Sequence, residues 1–262
     1  MKARVWVGAV ALAAMLGTAP AGGQPAAPPA GYLAAGTTPN SLSLVPPPPA
    51  PGSAAQARDD EAARAAVAAQ SGPRWALATQ DADLTFPGVT GTFSCAIGGP
   101  ISEADTPALY RLMRRSLRDI GLSTYPTKTK YKRARPFTVN GKPQCTPALD
   151  AALRNDGSYP SGHSALGWGW ALIVAEVAPD RADAVLARGR AFSESRRYCN
   201  VHWQSDVDEG RTMGAAVVAR LHDSAEFRAD VAAARAEVAA MRARGLAPTR
   251  DCAKEAAQMT AG

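Results

Sequence analysis

The sequence predicts an all-α fold in a single helical domain, on three observations. Alanine is abundant while aromatic residues make up only 6% of the chain, a balance that favours close-packed helices over a β-sandwich. Apolar residues recur at helical spacing in one segment after another, with no sustained two-residue alternation. With 262 residues, 46% hydrophobic and 20% charged, the chain can bury one large core, which excludes disorder throughout.

Taken in order, residues 22–52 are dominated by Pro, Ala and Gly, including Pro46 to Pro49, and read as an extended arm of polyproline character. From Ser53 to Gln70 the chain is alanine-rich and charged, and reads as a helix. Gly72-Pro73 breaks it before a second helix around Trp75 to Ala82. A turn-rich segment follows from Phe86 to Pro100, in which the Gly98-Gly99 pair reads as a turn. The next helix opens near Ser102 or Asp105 and runs to about Ile120, with Leu109, Leu112, Met113 and Leu117 on one stripe. Residues 121–160 read as irregular, with prolines at 126, 136, 143, 147 and 160. Ala165 to Val177 reads as a buried helix in which Gly167 and Gly169 let neighbouring backbones approach. Pro179 starts an amphipathic helix ending near Arg196, and His202 to about Asp223 and Ala225 to about Arg244 make two more. No internal repeat is present. The expected organisation is an export signal over 1–21, the arm over 22–52, a helical domain over 53–245 and a C-terminal tail over 246–262.

The export signal is read from Lys2 and Arg4, the apolar run Val5 to Leu16, and the small-residue cleavage site Ala19-Pro20-Ala21. Its removal would leave 241 residues and lower the formal net charge from +6 to +4. That mild excess suits an anionic small molecule better than a nucleic acid, since aromatics are not interleaved with the basic residues. No later stretch approaches the roughly 18 apolar residues of a membrane span, so a periplasmic or secreted protein without one is expected. Cys95, Cys145, Cys199 and Cys252 are an even set in an oxidising compartment, which points to two disulfides with three pairings open.

Only three histidines exist, and two lie in dense polar clusters: Gly157-Ser158-Tyr159-Pro160-Ser161-Gly162-His163 and Ser195-Arg196-Arg197-Tyr198-Cys199-Asn200-Val201-His202. His222 reads as an ordinary helix residue. Tyr159 stands where a nucleophile elbow needs glycine, so Ser161 is not such a nucleophile. No HExxH, CxxC or recurring histidine spacing marks a metal site, and no cofactor is expected. Phosphate fits better. Lys128, Lys130, Lys132, Arg133 and Arg135 fall within eight residues, and Arg196 adds a guanidinium beside the second histidine cluster. As a lone feature, such a run would read as a solvated basic loop. A phosphoryl group, however, needs fixed cations and N–H donors around its oxygens. Ser161-Gly162, just before a helix, can supply a hydroxyl and N–H groups at the helix's positive end. His202 and Asp206 are four apart, so the carboxylate can take the Nδ1–H of the ring and leave Nε2 free to attack.

These residues resemble the signature K-x6-R-P, P-S-G-H, S-R-x5-H-x3-D of the superfamily that includes type-2 phosphatidic acid phosphatases, lipid phosphate phosphatases and vanadium haloperoxidases. It is filled in order by Lys128 to Pro136, Pro160 to His163 and Ser195 to Asp206, with intervals of 23 residues (137–159) and 31 residues (164–194) between blocks. GSYPSGHS, with Cys145-Thr146-Pro147 before it and His202-Trp203 after, is similar to bacterial class A non-specific acid phosphatases. The likeness runs from about Tyr32 to Ala240 and takes in PPPPAPGS, which implies an ordered arm.

The resemblance implies an all-helical phosphatase that needs no metal and hydrolyses phosphate monoesters through a phosphohistidine. It implies His202 as nucleophile, Asp206 as the residue that orients it, and His163 as general acid and then base. Lys128, Arg135, Ser161, Gly162 and Arg196 would hold the phosphate oxygens. It also implies an acidic optimum and assembly into homo-oligomers. Asn200 and Tyr198 depart from the glycine and valine frequent in relatives. The alternatives are a vanadium-dependent haloperoxidase and a non-catalytic oxyanion-binding protein, for which His163, His202 and Asp206 would be superfluous.

Overall fold

Helix-initiating chemistry recurs along the chain. In the computed structural model, which describes residues 29–261, every regular element is helical. The expected export signal and the first residues of the arm lie outside the described residues. In chain order the α-helices are α1 (Ser41–Leu44), α2 (Ala54–Ala68), α3 (Pro73–Gln80), α4 (Ser94–Ile97), α5 (Pro107–Leu122) and α6 (Tyr125–Tyr131). Then come α7 (Pro136–Asn140), α8 (Asp150–Asn155), α9 (Gly162–Val177), α10 (Ala182–Tyr198), α11 (Gln204–Leu221), α12 (Ala225–Ala243) and α13 (Cys252–Thr260). None is long and apolar enough to cross a membrane.

Most boundaries follow from capping. Ser53, Ser161 and Ser224 each accept a backbone N–H in the first turn of the helix they precede, satisfying a donor that has no intrahelical partner. Gly98 ends α4 in the left-handed region at φ +78°, the turn expected of Gly98-Gly99. The segment 121–160, expected to be irregular, instead holds α6, α7 and α8. Pro126 and Pro136 sit in the first turns of α6 and α7, where a missing N–H costs nothing and the fixed φ favours the helix. Prolines that read as breakers are starters here.

The apolar helix α9 forms the axis of the core, packed by α5, α10 and α11, with α12 closing over α5. Trp170 is fully buried there and donates its indole N–H to Met113 O and Ser116 Oγ. Glycines set how closely the helices approach. A Cβ at Gly167 would lie 2.2 Å from the Phe192 ring of α10, and one at Gly210 of α11 would lie 2.5 Å from the carbonyl of Ser161. This confirms Gly167 as a point of close approach, and Gly169 likewise abuts Ile120.

The arm is packed on the body. Tyr32 donates to Asp230 at 2.6 Å, and Pro46 O accepts from the Tyr159 hydroxyl at 2.8 Å. The segment read as a tail contains α13, joined by the disulfide Cys95–Cys252 and packed on α3. The second disulfide is Cys145–Cys199.

Candidate active site

The N-terminus of α9, the loop between α10 and α11, and the α6–α7 segment meet at one end of the core. Backbone bonds stitch the three sequence blocks together. Phe137 N donates to Asn200 O at 3.1 Å, Ser158 N to Arg133 O at 2.9 Å, and Ser161 N to Asp206 O at 2.9 Å. The loop before His202 turns at Asn200, whose φ is +60°. Asparagine tolerates this left-handed conformation, and the Asn200 amide anchors it by donating to Lys142 O and Pro143 O. This accounts for a position where glycine would also serve. The Cys145–Cys199 bridge fastens the same loop.

His202 itself precedes α11, so its contact with Asp206 crosses the helix start rather than running along a helical face. Its ring is 3% exposed, with Nδ1 3.2 Å from Asp206 Oδ2 and Nε2 3.0 Å from Arg135 Nη1. A guanidinium can only donate, so Nε2 is the acceptor and Nδ1 carries the proton towards Asp206. Burial, then the charges of Arg135, Lys128 and Arg196, hold the imidazole's pKa well below its ordinary value. The direction favours the neutral ring, with an unprotonated Nε2. Asp206 also accepts from Trp203 N at 2.9 Å, which fixes the carboxylate at the start of α11.

His202 lines a cavity of about 210 Å³ together with His163, Gly162, Lys128, Arg135 and Arg196. Both imidazoles and three cations thus share one small chamber, with Leu84, Leu153 and Leu166 contributing apolar wall. Arg135 donates through Nε to Leu153 O and through Nη1 to Val201 O, at 2.8 and 2.9 Å, so its fork is held from behind. Lys128, on α6, donates to Gly157 O at 2.5 Å, and burial lowers its pKa to about 8. Arg196, at the end of α10, is 1% exposed, and its Nε has no hydrogen-bond partner among the described residues. Among the described residues the one hydrogen bond of its guanidinium is a long 3.9 Å approach of Nη1 to Cys199 Sγ. A buried cation with no salt-bridged carboxylate among the described residues costs stability, and its charge beside the cavity is suited to meeting an anion.

His163 is the second residue of α9. Its Nε2 lies 3.1 Å from Ala82 O, which can only accept, so Nε2 carries a proton and Nδ1 is the nitrogen that gains one. Burial, and then the charge of Arg196, push its pKa well below the usual value. A bound phosphate dianion would act in the opposite sense.

Of the expected site residues, the structure brings Lys128, Arg135, Gly162, His163, Arg196 and His202 to the cavity, with Asp206 behind His202. Ser161 is fully buried at the cap of α9, its Oγ accepting from Ser164 N at 3.2 Å, and is not part of the cavity lining. His222 ends α11 against Glu176, as an ordinary helix residue would. The basic run divides: Lys130 and Lys132 face solvent, while Lys128, Arg133 and Arg135 turn inward. Sequence reasoning missed Asp156, whose carboxylate is 2.9 Å from Arg135 Nη2 and 3.3 Å from Lys128 Nζ at the cavity rim. It also missed the partners of Arg133. Asp156 had a signal, since it directly precedes GSYPSGHS; Asp59, one of those partners, had none. A larger open cleft of about 510 Å³ beside Arg74, Arg197 and Tyr198 contains none of the expected groups.

Residues 117–229 match the PAP2 superfamily, a span that takes in all three blocks. The chain is 43% identical over 152 residues to a non-specific acid phosphatase of Providencia stuartii, covering 58% of this chain and 61% of that one. It is 42% identical over 177 residues to an acid phosphatase of Zymomonas mobilis, covering 66% of each. With a non-specific acid phosphatase of Salmonella typhimurium the identity is 37% over 194 residues, covering 74% and 78%. The matched part spans just under two thirds of the first two relatives and more than three quarters of the third.

Proposed function

The chain belongs to the PAP2 superfamily, with its non-specific acid phosphatases, and from that membership we propose that it hydrolyses phosphate monoesters to orthophosphate and an alcohol. The observation that carries this reading is the His202 imidazole. Its Nδ1 is held by Asp206, and its bare Nε2 opens on a chamber shared with His163 and three cations.

In the proposed reaction the phosphoryl oxygens are held by Lys128, Arg135, Arg196 and the N–H groups opening α9 at Gly162. Ser161 acts indirectly, its hydroxyl capping α9 and so fixing the helix start that presents Gly162. Nε2 of His202 attacks phosphorus, forming the N–P bond as the ester P–O bond breaks. His163, protonated at Nδ1 once the dianion is bound, delivers that proton to the departing alkoxide. Water then enters, gives its proton to His163 and displaces the phosphoryl group from Nε2 as orthophosphate. Asp206 stabilises the imidazolium character that develops on His202. The lowered pKa of His202 supports an acidic working range, because it favours the unprotonated nucleophile. Export to the periplasm or beyond is part of the same proposal, supported by the two disulfides and the residues Lys2 to Ala21.

The direct test is release of p-nitrophenol from p-nitrophenyl phosphate at mildly acidic pH with excess chelator. Undiminished turnover is expected. Loss of turnover on chelation would overturn the metal-free mechanism. Phosphate binding with zero turnover would leave an oxyanion-binding protein instead. Bromide oxidation by the vanadate-loaded protein with hydrogen peroxide would point to the haloperoxidase.

His163→Ala tests the proton donor. With p-nitrophenol, a good leaving group, the first transfer needs little proton donation and should survive within about tenfold. With alkyl phosphates kcat/KM should fall by about 10²–10⁴. Equal losses for both classes would remove His163 from that role.

A further inference from the structure

Arg133 is absent from the signature by which the cavity residues were found, yet its side chain is 9% exposed and both its terminal nitrogens are engaged. Nη1 donates to Asp206 Oδ1 at 2.7 Å and to Ser205 Oγ at 2.8 Å. Nη2 donates to Asp59 Oδ2 at 2.7 Å and to Gln56 Oε1 at 2.8 Å. Asp59 is in turn fixed by Ser205 N and Ser205 Oγ, at 2.8 and 2.6 Å. One guanidinium therefore bridges α2 and α11 and grips the carboxylate oxygen of Asp206 that does not face His202.

We infer that Arg133 is a positioning residue that acts through Asp206 to keep His202 an unprotonated, correctly aimed nucleophile, and thereby sets the acid limit of turnover. The inference rests on the phosphatase reading above. Asp206 has no exposure, and burial alone drives its carboxyl towards the protonated form; Arg133 leads the groups opposing that drive. Lys128, Arg135, Arg196 and His163 surround the imidazole from the cavity side. Asp156 offsets Lys128 and Arg135, and Asp59 offsets Arg133 from behind. Within this set only Arg133 touches the Asp206 carboxylate with a cation.

Removing the guanidinium has two routes with one sign. If Asp206 then takes a proton, it no longer holds the Nδ1–H of His202 as an anionic acceptor. If it stays ionised, its charge falls wholly on the imidazole and raises that ring's pKa, so Nε2 is lost to protonation sooner as pH falls. Either way the active form disappears at higher pH than in the wild type.

The experiment is the pH profile of kcat for p-nitrophenyl phosphate in the wild type, Arg133→Gln, Arg133→Lys and the double variant Arg133→Gln with Asp59→Asn. The double variant removes a buried charge pair together, which keeps the charge balance where the single glutamine fails to fold. The same substrate is used throughout, so its own ionisation is common to every profile. The acid limb should move up by about one pH unit in the glutamine single or double variant. The lysine variant, keeping the charge with fewer bonds, should keep its limb near the wild-type position at a lower kcat. A kcat that falls evenly over the whole pH range, with the limb unmoved, would make Arg133 a structural bridge only. Wild-type protein without turnover would instead sink the phosphatase reading itself.

Discussion

His202→Ala should lower kcat for p-nitrophenyl phosphate by about 10⁴ or more, to the residual level that a charged cavity alone supports. In the proposed reaction the imidazole Nε2 is the atom that forms the bond to phosphorus, while His163 is left to carry the proton through its Nδ1. Ground-state binding should survive. Lys128, Arg135 and Arg196 remain, and Arg135 Nη1 is freed from its contact with the ring, so inorganic phosphate should still bind within about tenfold of wild type. Two readouts separate a lost nucleophile from a damaged fold. Wild-type protein quenched in base during turnover of labelled substrate should carry a phosphohistidine that the variant lacks. Added imidazole, entering the space left by the buried ring, should restore part of the turnover. His222→Ala, at the far end of α11, should change neither. Retention of more than about 1% of kcat, or label on the variant, would show that the phosphoryl group travels by another residue.

The site was legible because its chemistry is concentrated in short stretches. Ser161-Gly162 reads as lying just before a helix's positive end, and α9 does begin at Gly162, although the Ser161 hydroxyl is used to cap it. His202 and Asp206 read as a pair because four residues separate them, although the contact is made across the start of α11 rather than on its face. What could not be read was set by contacts distant in sequence or by the ambivalence of one residue type. Pro126 and Pro136 give the same signal whether they end one helix or begin the next, and here they begin α6 and α7. Arg133 looks like any member of a basic run until α2 brings Asp59 against it from 74 positions away. The pairing of Cys95 with Cys252 depends on where α13 docks, and spacing carries no information about that. Lys128 and Lys130 differ by two residues, yet one is buried at the cavity it shares with His202 and the other is in water, because α6 turns only one of them inward.

Arg196→Met should separate stability from function by moving them in opposite directions. Burial, followed by the charge of Arg135, depresses the pKa of this guanidinium to about 9. A base whose folded-state pKa is lowered opposes folding at every pH below that value, so in mildly acidic solution the charge is a standing cost. Methionine has a similar reach and no charge to desolvate, and replacing buried ionic groups by apolar ones of like volume often stabilises by about 1–4 kcal/mol. For a domain of this size each kcal/mol corresponds to about 2–4 °C in Tm. The phosphate-free variant should therefore melt several degrees above the wild type. Its kcat/KM should nevertheless fall by about 10²–10³, the usual loss when one preorganised donor to a developing oxyanion is removed. Phosphate supplies the missing counter-charge, so it should raise the Tm of the wild type by mass action and that of Arg196→Met much less. The crossing of these two melting responses is the signature of a cation held in place for its ligand. A variant that melts lower than wild type and is still stabilised equally by phosphate would show that Arg196 serves packing, leaving Lys128 and Arg135 as the cations that meet the anion.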